Sequence, residues 1–284
     1  MTAVAVATMR AAVVCAPGRA SCASVPVPEP GPGEVLVRVE GCGVCGSSLP
    51  LWAGREWFSY PLEPGAPGHE GWGRLEDGRR VAALSYRAFA ELDVAREDEV
   101  VELPPELDGV PFPGEALACA VNVVRRAAVE PGARVAVVGM GFLGTTVARL
   151  LGRVTQCCEV RRGEMPPGDF DVVVECAGTQ TALDTASRLV ATRGRLVIGG
   201  FHQDGPRVVD LQSWNWRGID VVNAHERDPA VVVDALREAV RLAAAGELDV
   251  AALVTHRFSL DDLGAAFDAA TRRGHGFLKA VVCP

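Results

Sequence analysis

The segment Val135-Ala-Val-Val-Gly-Met-Gly-Phe-Leu-Gly144 leaves this chain little choice of architecture. An apolar run of strand length meets three glycines spaced Gly139-x-Gly141-x-x-Gly144, and a helical pattern follows. In that setting the glycines permit a tight turn, close approach of a pyrophosphate and close helix–strand packing, while the helix N-terminus favours phosphate. Two more apolar runs, Asp171-Val-Val-Val-Glu-Cys-Ala-Gly178 and Gly194-Arg-Leu-Val-Ile-Gly-Gly200, alternate with helical stretches such as Thr181 to Val190. Strands alternating with helices imply an α/β fold with a parallel, doubly wound sheet. Phe142, Leu143, Ala177 and Gly199 fall where a bound NAD or NADP would be lined.

An acidic contact to the ribose is expected about twenty residues beyond the fingerprint, and Glu159 stands there. Arg161 and Arg162 follow at once and suit a 2′-phosphate, so NAD and NADP both stay open. A full half-fold needs roughly 40 residues between the fingerprint and the strand at Asp171. Only the 26 residues 145–170 are present. One helix and one strand are therefore expected to be missing, the strand being the outermost of the sheet.

Upstream, Gly43-Val-Cys-Gly-Ser-Ser48 and Pro67-Gly-His-Glu-Gly71 bring Cys45, His69 and Glu70 forward. A thiolate, an imidazole and a carboxylate together suit zinc with a fourth position open. Taken singly, Cys45 reads equally as a small core residue and His69 as a loop histidine. Glu115, at the start of an apolar helix, is the chosen fourth ligand, with Cys119 one turn later as its competitor. Cys42 and Cys45 form a single C-x-x-C pair, and a zinc ribbon would require a second.

Residues 10–100 read as β-rich: Arg10-Ala-Ala-Val-Val-Cys, Glu34 to Glu40, Val81-Ala-Ala-Leu and Ala88 to Val94 carry strand patterns. A helix over 114–130 is expected to bury Leu117, Val121, Val124 and Ala128. Another is capped by Asp228, with Pro229 first and Gly246 after it. Phe258 to Ala270 reads as amphipathic helix, and Leu278 to Val282 as a closing strand. Trp52, Trp57, Phe58 and Trp72 lie near the metal motifs as core or pocket wall, and His225 and Glu226 sit in a polar loop.

A chain of 284 residues accommodates two domains. A net charge of −8, with no basic run beyond pairs, argues against nucleic acid or an anionic membrane as partner. No apolar stretch reaches the ~18 residues of a membrane span. Residues 1–10 lack the basic start of a secretion signal and read as an extension ahead of the first strand. Nine scattered cysteines form no disulfide framework, which points to the cytoplasm.

On Gly43-Val-Cys-Gly-Ser47, Gly68-His-Glu70, Glu115-Ala-Leu-Ala-Cys-Ala120 and the glycine fingerprint, nearly the whole chain resembles the medium-chain dehydrogenase/reductase superfamily, of the zinc alcohol and sorbitol dehydrogenase type. The resemblance implies a GroES-like catalytic domain, residues 1–122 and 255–284, with a shortened Rossmann domain, 123–254, inserted. It implies one catalytic zinc on Cys45, His69, Glu70 and Glu115, with Ser47 passing the substrate proton. No cysteine stands between Gly71 and Glu115, so the family's structural-zinc lobe is expected to be absent. Ser48 replaces the usual Asp, and Pro50 stands where some members have a relay histidine. The implied activity is hydride transfer between NAD(P) and a secondary alcohol, polyol or sugar-like small molecule, by a homodimer or homotetramer. The alternative is a redox-neutral zinc lyase, isomerase or cyclase that has lost cofactor binding.

Overall fold

The computed structural model describes residues 7–284, and the reading of residues 1–6 as an extension lies outside them. The chain falls into two compact units, Met1–Ala116 with Ala239–Pro284, and Leu117–Glu238. Both boundaries cut through helices, α2 (Gly114–Ala127) and α6 (Pro229–Ala244), rather than through breaker-rich loops. The changes expected at 122/123 and 254/255 are implied by the resemblance, and the first of them also falls within α2.

The first unit begins with β1 (Thr8–Ala16) and β2 (Arg19–Pro26), an antiparallel pair. Then come β3 (Glu34–Gly43), the short α1 (Leu49–Trp52), β4 (Gly71–Arg74), β5 (Arg80–Ala83), β6 (Leu92–Arg96) and β7 (Val100–Glu102). After the second unit the chain returns with β13 (His256–Ser259), α7 (Leu263–Arg272) and β14 (Ala280–Cys283). These strands form one sheet ordered β13-β14-β3-β4-β5-β7, with β6 on β3. Its core joins both ends of the chain: Val14, Val39, Trp52 and Phe89 meet Leu263 and Phe267, with Trp52 stacked on Phe267 at 5.0 Å. Each such side chain, fully buried, contributes roughly 1.5–3 kcal/mol.

Two strand–helix expectations are corrected here. Phe258 belongs to β13, and the helix starts only at Leu263, because Leu260–Asp262 form a 3-10 turn. Of Ala88 to Val94, only Leu92 onward is β-strand; Ala90 makes an isolated bridge to Ala11.

The second unit is a five-stranded parallel sheet ordered β12-β11-β10-β8-β9. Its strands are β8 (Val135–Val138), β9 (Cys157–Val160), β10 (Phe170–Glu175), β11 (Val190–Ile198) and β12 (Asp220–Asn223). Helices α3 (Phe142–Leu151), α4 (Gln180–Leu189) and α5 (Leu211–Arg217) join them. β8 is buried along its whole length, as a strand covered on both faces must be. Residues 145–170 hold one helix and one strand, and β9 leads to β10 without a helix between. β9 is thus an edge strand beside β8. Helix α2 stops earlier than expected: Ala128 is left-handed (φ 45°) and exposed, and Ala127 takes the buried position.

Candidate functional site

Strand pairing assembles the first cluster at one end of three neighbouring strands. β3 pairs with β4 so that Cys42 faces Gly71, and the Gly43 amide donates to the Glu70 carbonyl at 3.1 Å. β14 lies on the other side of β3, with Val281 opposite Gly43, and the Val44 amide donates to Ala280 at 2.9 Å. Cys45 then opens a 3-10 turn, Gly46–Ser48, while His69 and Glu70 end the loop before β4 and Lys279 directly precedes β14. The ligand atoms of Cys45, His69 and Glu70 all lie within 4.8 Å of one another. Glu115, in the first turn of α2, brings Oε2 to 4.0 Å from His69 Nε2. The Ser47 hydroxyl donates to Cys45 Sγ at 3.1 Å and lies 3.5 Å from His69 Nε2.

The donor set fits a divalent cation. His69 Nδ1 is 2.9 Å from the Pro67 carbonyl, which can only accept, so that nitrogen carries a proton and Nε2 faces the cluster. Burial disfavours a charged ring, but the hydrogen bond and charge of Cys45, with Glu115 and Glu70, outweigh it and raise His69 to about 10. The same anions that would favour a proton on Nε2 would favour a metal cation there, bound by the neutral ring. With Cys45 deprotonated, as metal-bound cysteines are, Lys279 offsets one of three anions and leaves the charge that a dication would neutralise.

Glu70 is the most constrained of the four. It is fully buried, and both its carboxylate oxygens accept from Lys279 Nζ, at 2.7 and 2.8 Å. Burial alone would lower Lys279, yet Glu70, and behind it Cys45, hold it above its ordinary value. Sequence reasoning missed this residue. The signal was there: Lys279 is the only lysine in a chain otherwise furnished with arginine. Tyr86 was missed too; it is 57% exposed and stacks nearly parallel to the His69 ring at 6.4 Å. Of the aromatics near the motifs, Trp52 and Trp72 are core, while Trp57 is 59% exposed.

The second unit carries the fingerprint. Gly139 turns with φ +97°, and a Cβ there would meet that of Ala177 at 2.7 Å. A Cβ on Gly144 would lie 2.0 Å from the Gly139 carbonyl oxygen, so only glycine lets α3 seat against the turn. Gly141 occupies the N-cap of α3 without a capping side chain, with Phe142 and Leu143 in the first turn. These features fit a pyrophosphate at a helix N-terminus. Ala177 follows β10 and Gly199 follows β11, at the carboxyl ends of the strands. Glu159 lies on β9, exposed, and pairs with Arg161 at 3.0 Å, so the acid and the arginine engage each other. His225 is exposed beside Phe201. A cavity of about 380 Å³ lies between α4 and residues 208–217. Arg217 and Trp214, which line it, hydrogen-bond to Val190, Ser187 and Ser213.

Known proteins place these observations. Residues 31–86 match the family described as alcohol dehydrogenase GroES-like domain, and residues 150–282 the family described as zinc-binding dehydrogenase. Sorbitol dehydrogenase of Gallus gallus is 26% identical, with 91% of this chain and 92% of the relative covered. That alignment runs over 337 positions against 284 residues here, so the relative carries internal segments without a counterpart. L-galactonate-5-dehydrogenase of Escherichia coli K12 is 23% identical, covering 90% and 93%. Among solved structures, a protein assigned as a zinc-binding dehydrogenase from Sinorhizobium meliloti, bound to NADP, is 25% identical (TM-score 0.80, 98% and 100% covered). The 2R,3R-butanediol dehydrogenase of Bacillus subtilis, 20% identical with 97% and 99% covered, shares the fold at a TM-score of 0.82. With a GroES-like unit, a parallel Rossmann-like sheet and these relatives, the chain belongs to the medium-chain dehydrogenase/reductase superfamily.

Proposed function

We propose that this protein is a zinc-dependent oxidoreductase that moves a hydride between NAD(P) and a secondary alcohol, polyol or sugar-like substrate. The observation that carries the reading is the convergence of Cys45, His69 and Glu70 within 4.8 Å, with Glu115 beside His69. Relatives named for polyol and sugar-acid substrates support the substrate class.

Cys45, His69, Glu70 and Glu115 would hold a single zinc, which when bound polarises the substrate oxygen and lowers its pKa. Residues 139–144, Ala177 and Gly199 would hold NAD(P), which when bound exchanges the hydride. Ser47 would relay the substrate proton, its Oγ accepting that proton as its own hydroxyl proton passes on to solvent, from a position next to two of the ligands. Pro67 orients His69 through Nδ1, and Lys279 anchors both oxygens of Glu70. Tyr86, stacked on His69 with an exposed face, forms an apolar wall against a substrate carbon chain. Glu159, with Arg161 beside it, offers the ribose contact, and the pair leaves both NAD and NADP open. The edge strand β12, with Val221 38% exposed, and Trp216 of α5, 90% exposed, support a homodimer through this side of the sheet.

One observation favours a second reading. The missing helix and strand between β9 and β10 would otherwise flank the adenosine end of a cofactor. A zinc-dependent, redox-neutral lyase, isomerase or cyclase, with a glutamate as base, accommodates that loss.

Metal analysis and nucleotide titration test both. The purified protein is expected to carry near one zinc per chain, lost in Cys45→Ala, and to give saturable NADH or NADPH fluorescence. Zinc without any saturable nicotinamide signal at millimolar cofactor would select the redox-neutral reading. A wild-type protein free of metal would sink both.

A further inference from the structure

A buried polar chain outside the zinc cluster remains unexplained by the activity above. Glu175, the last residue of β10, is fully buried. Its Oε1 accepts from the amides of Ala177 and Gly178, both at 2.7 Å, and its Oε2 lies 3.0 Å from His202 Nε2. On the other side of the imidazole, Arg207 Nε donates to His202 Nδ1 at 2.7 Å. The same guanidinium donates to the Gly178 carbonyl at 2.9 Å and pairs with Asp204. The circuit therefore starts and ends on the peptide that follows β10.

The chemistry fixes the ring. An arginine N–H can only donate, so His202 Nδ1 must accept. His202 then holds its proton on Nε2 and donates it to Glu175. Both ring nitrogens of His202 are engaged, so the ring holds geometry rather than performing chemistry.

The held segments are specific. The amides of Gly199 and Gly200 both donate to the Glu175 carbonyl at 2.8 Å. Gly178 has φ +68°, and a Cβ there would lie 2.5 Å from the Phe201 carbonyl oxygen, so the loops after β10 and β11 touch backbone to backbone. Ala177 in turn presses on Gly139 of the fingerprint turn. Three strand ends are joined at the carboxyl edge of the sheet, where ligands of such sheets bind.

We propose that Glu175, His202 and Arg207 act as a positioning clamp that fixes the 177–178 and 199–207 loops as the wall for the nicotinamide-ribose end of the cofactor. The inference rests on the reading of this unit as an NAD(P) site. It also addresses the lost adenosine-side segment: with that end of the cofactor poorly covered, recognition shifts to a wall rigidified at the other end.

The test uses the zinc-loaded full chain, wild type and Arg207→Met, Arg207→Lys and Glu175→Gln. Long-range ¹H–¹⁵N imidazole spectra of the wild type are expected to show His202 as a single Nε2–H tautomer. Arg207→Met is expected to lose that signature and to speed amide exchange at Ala177 and Gly178 at least tenfold. Its affinity for reduced nicotinamide mononucleotide should fall at least tenfold while ADP-ribose binding changes less than twofold. Arg207→Lys, which keeps a donor for Nδ1, should recover part of the loss. Glu175→Gln sets an amide against either the two backbone donors or the His202 N–H; if it folds, it should match Arg207→Met. An unchanged tautomer, unchanged exchange, or equal weakening of both fragments overturns the clamp. A wild type that binds neither fragment overturns the cofactor reading instead, and the clamp is then decided by tautomer and exchange alone.

Discussion

Lys279 shows how a single residue can be visible in a sequence and still not be understood. Its rarity was plain, but its partner lies 209 positions away and is reached only because β14 docks beside β3. Sequence spacing does reveal local pairs such as His69 and Glu70; it does not reveal register across strands from opposite ends of a chain. The cost of disturbing this pair follows from burial. In the metal-free protein Lys279→Met leaves the Glu70 carboxylate buried without its counter-charge, a loss of about 3–5 kcal/mol. Urea unfolding should show that loss, and the double variant with Glu70→Gln should recover much of it because no charge is then orphaned. A single variant as stable as the wild type would mean that the ion pair is solvated rather than sealed. Glu115, by contrast, was named from its place at the head of an apolar helix, and it lies next to His69.

The elements divide in the same way. β8, β10 and β11 were legible because strands covered on both faces are written as unbroken apolar runs. The Asp228–Pro229 start of α6 was legible because a cap acts locally: the Ala230 amide donates to Asp228 at 3.0 Å. Phe258 was misassigned because four residues of strand followed by a 3-10 turn carry an apolar spacing that also suits a helix. The turn between β8 and α3 offers the sharpest trial at this scale. Gly144→Ala puts a methyl group 2.0 Å from the Gly139 oxygen, so α3 must move away from the sheet. Nicotinamide nucleotide binding should drop by more than tenfold while zinc content stays near one per chain. Binding that survives the substitution would show that this turn does not carry the phosphates.

At the scale of the molecule, the counting of residues between fingerprint and next strand succeeded because 26 residues fall well short of the roughly 40 that two average helices and two strands need. The unit boundaries were less legible, since α2 and α6 run through them. Assembly is argued from β12, the last strand in the sheet order, whose residues are largely exposed. Lysine on an edge strand blocks pairing with another chain. Val221→Lys should therefore turn the proposed dimer into a monomer by sedimentation, with zinc content unchanged; a wild type that sediments as a monomer would remove the argument. The sealed ammonium of Lys279 has one more consequence, of practical use. Acylating reagents aimed at primary amines will find no side chain to modify on the folded protein. Label arriving at position 279 would report, at the rate it accumulates, how often the pocket around Glu70 opens to water.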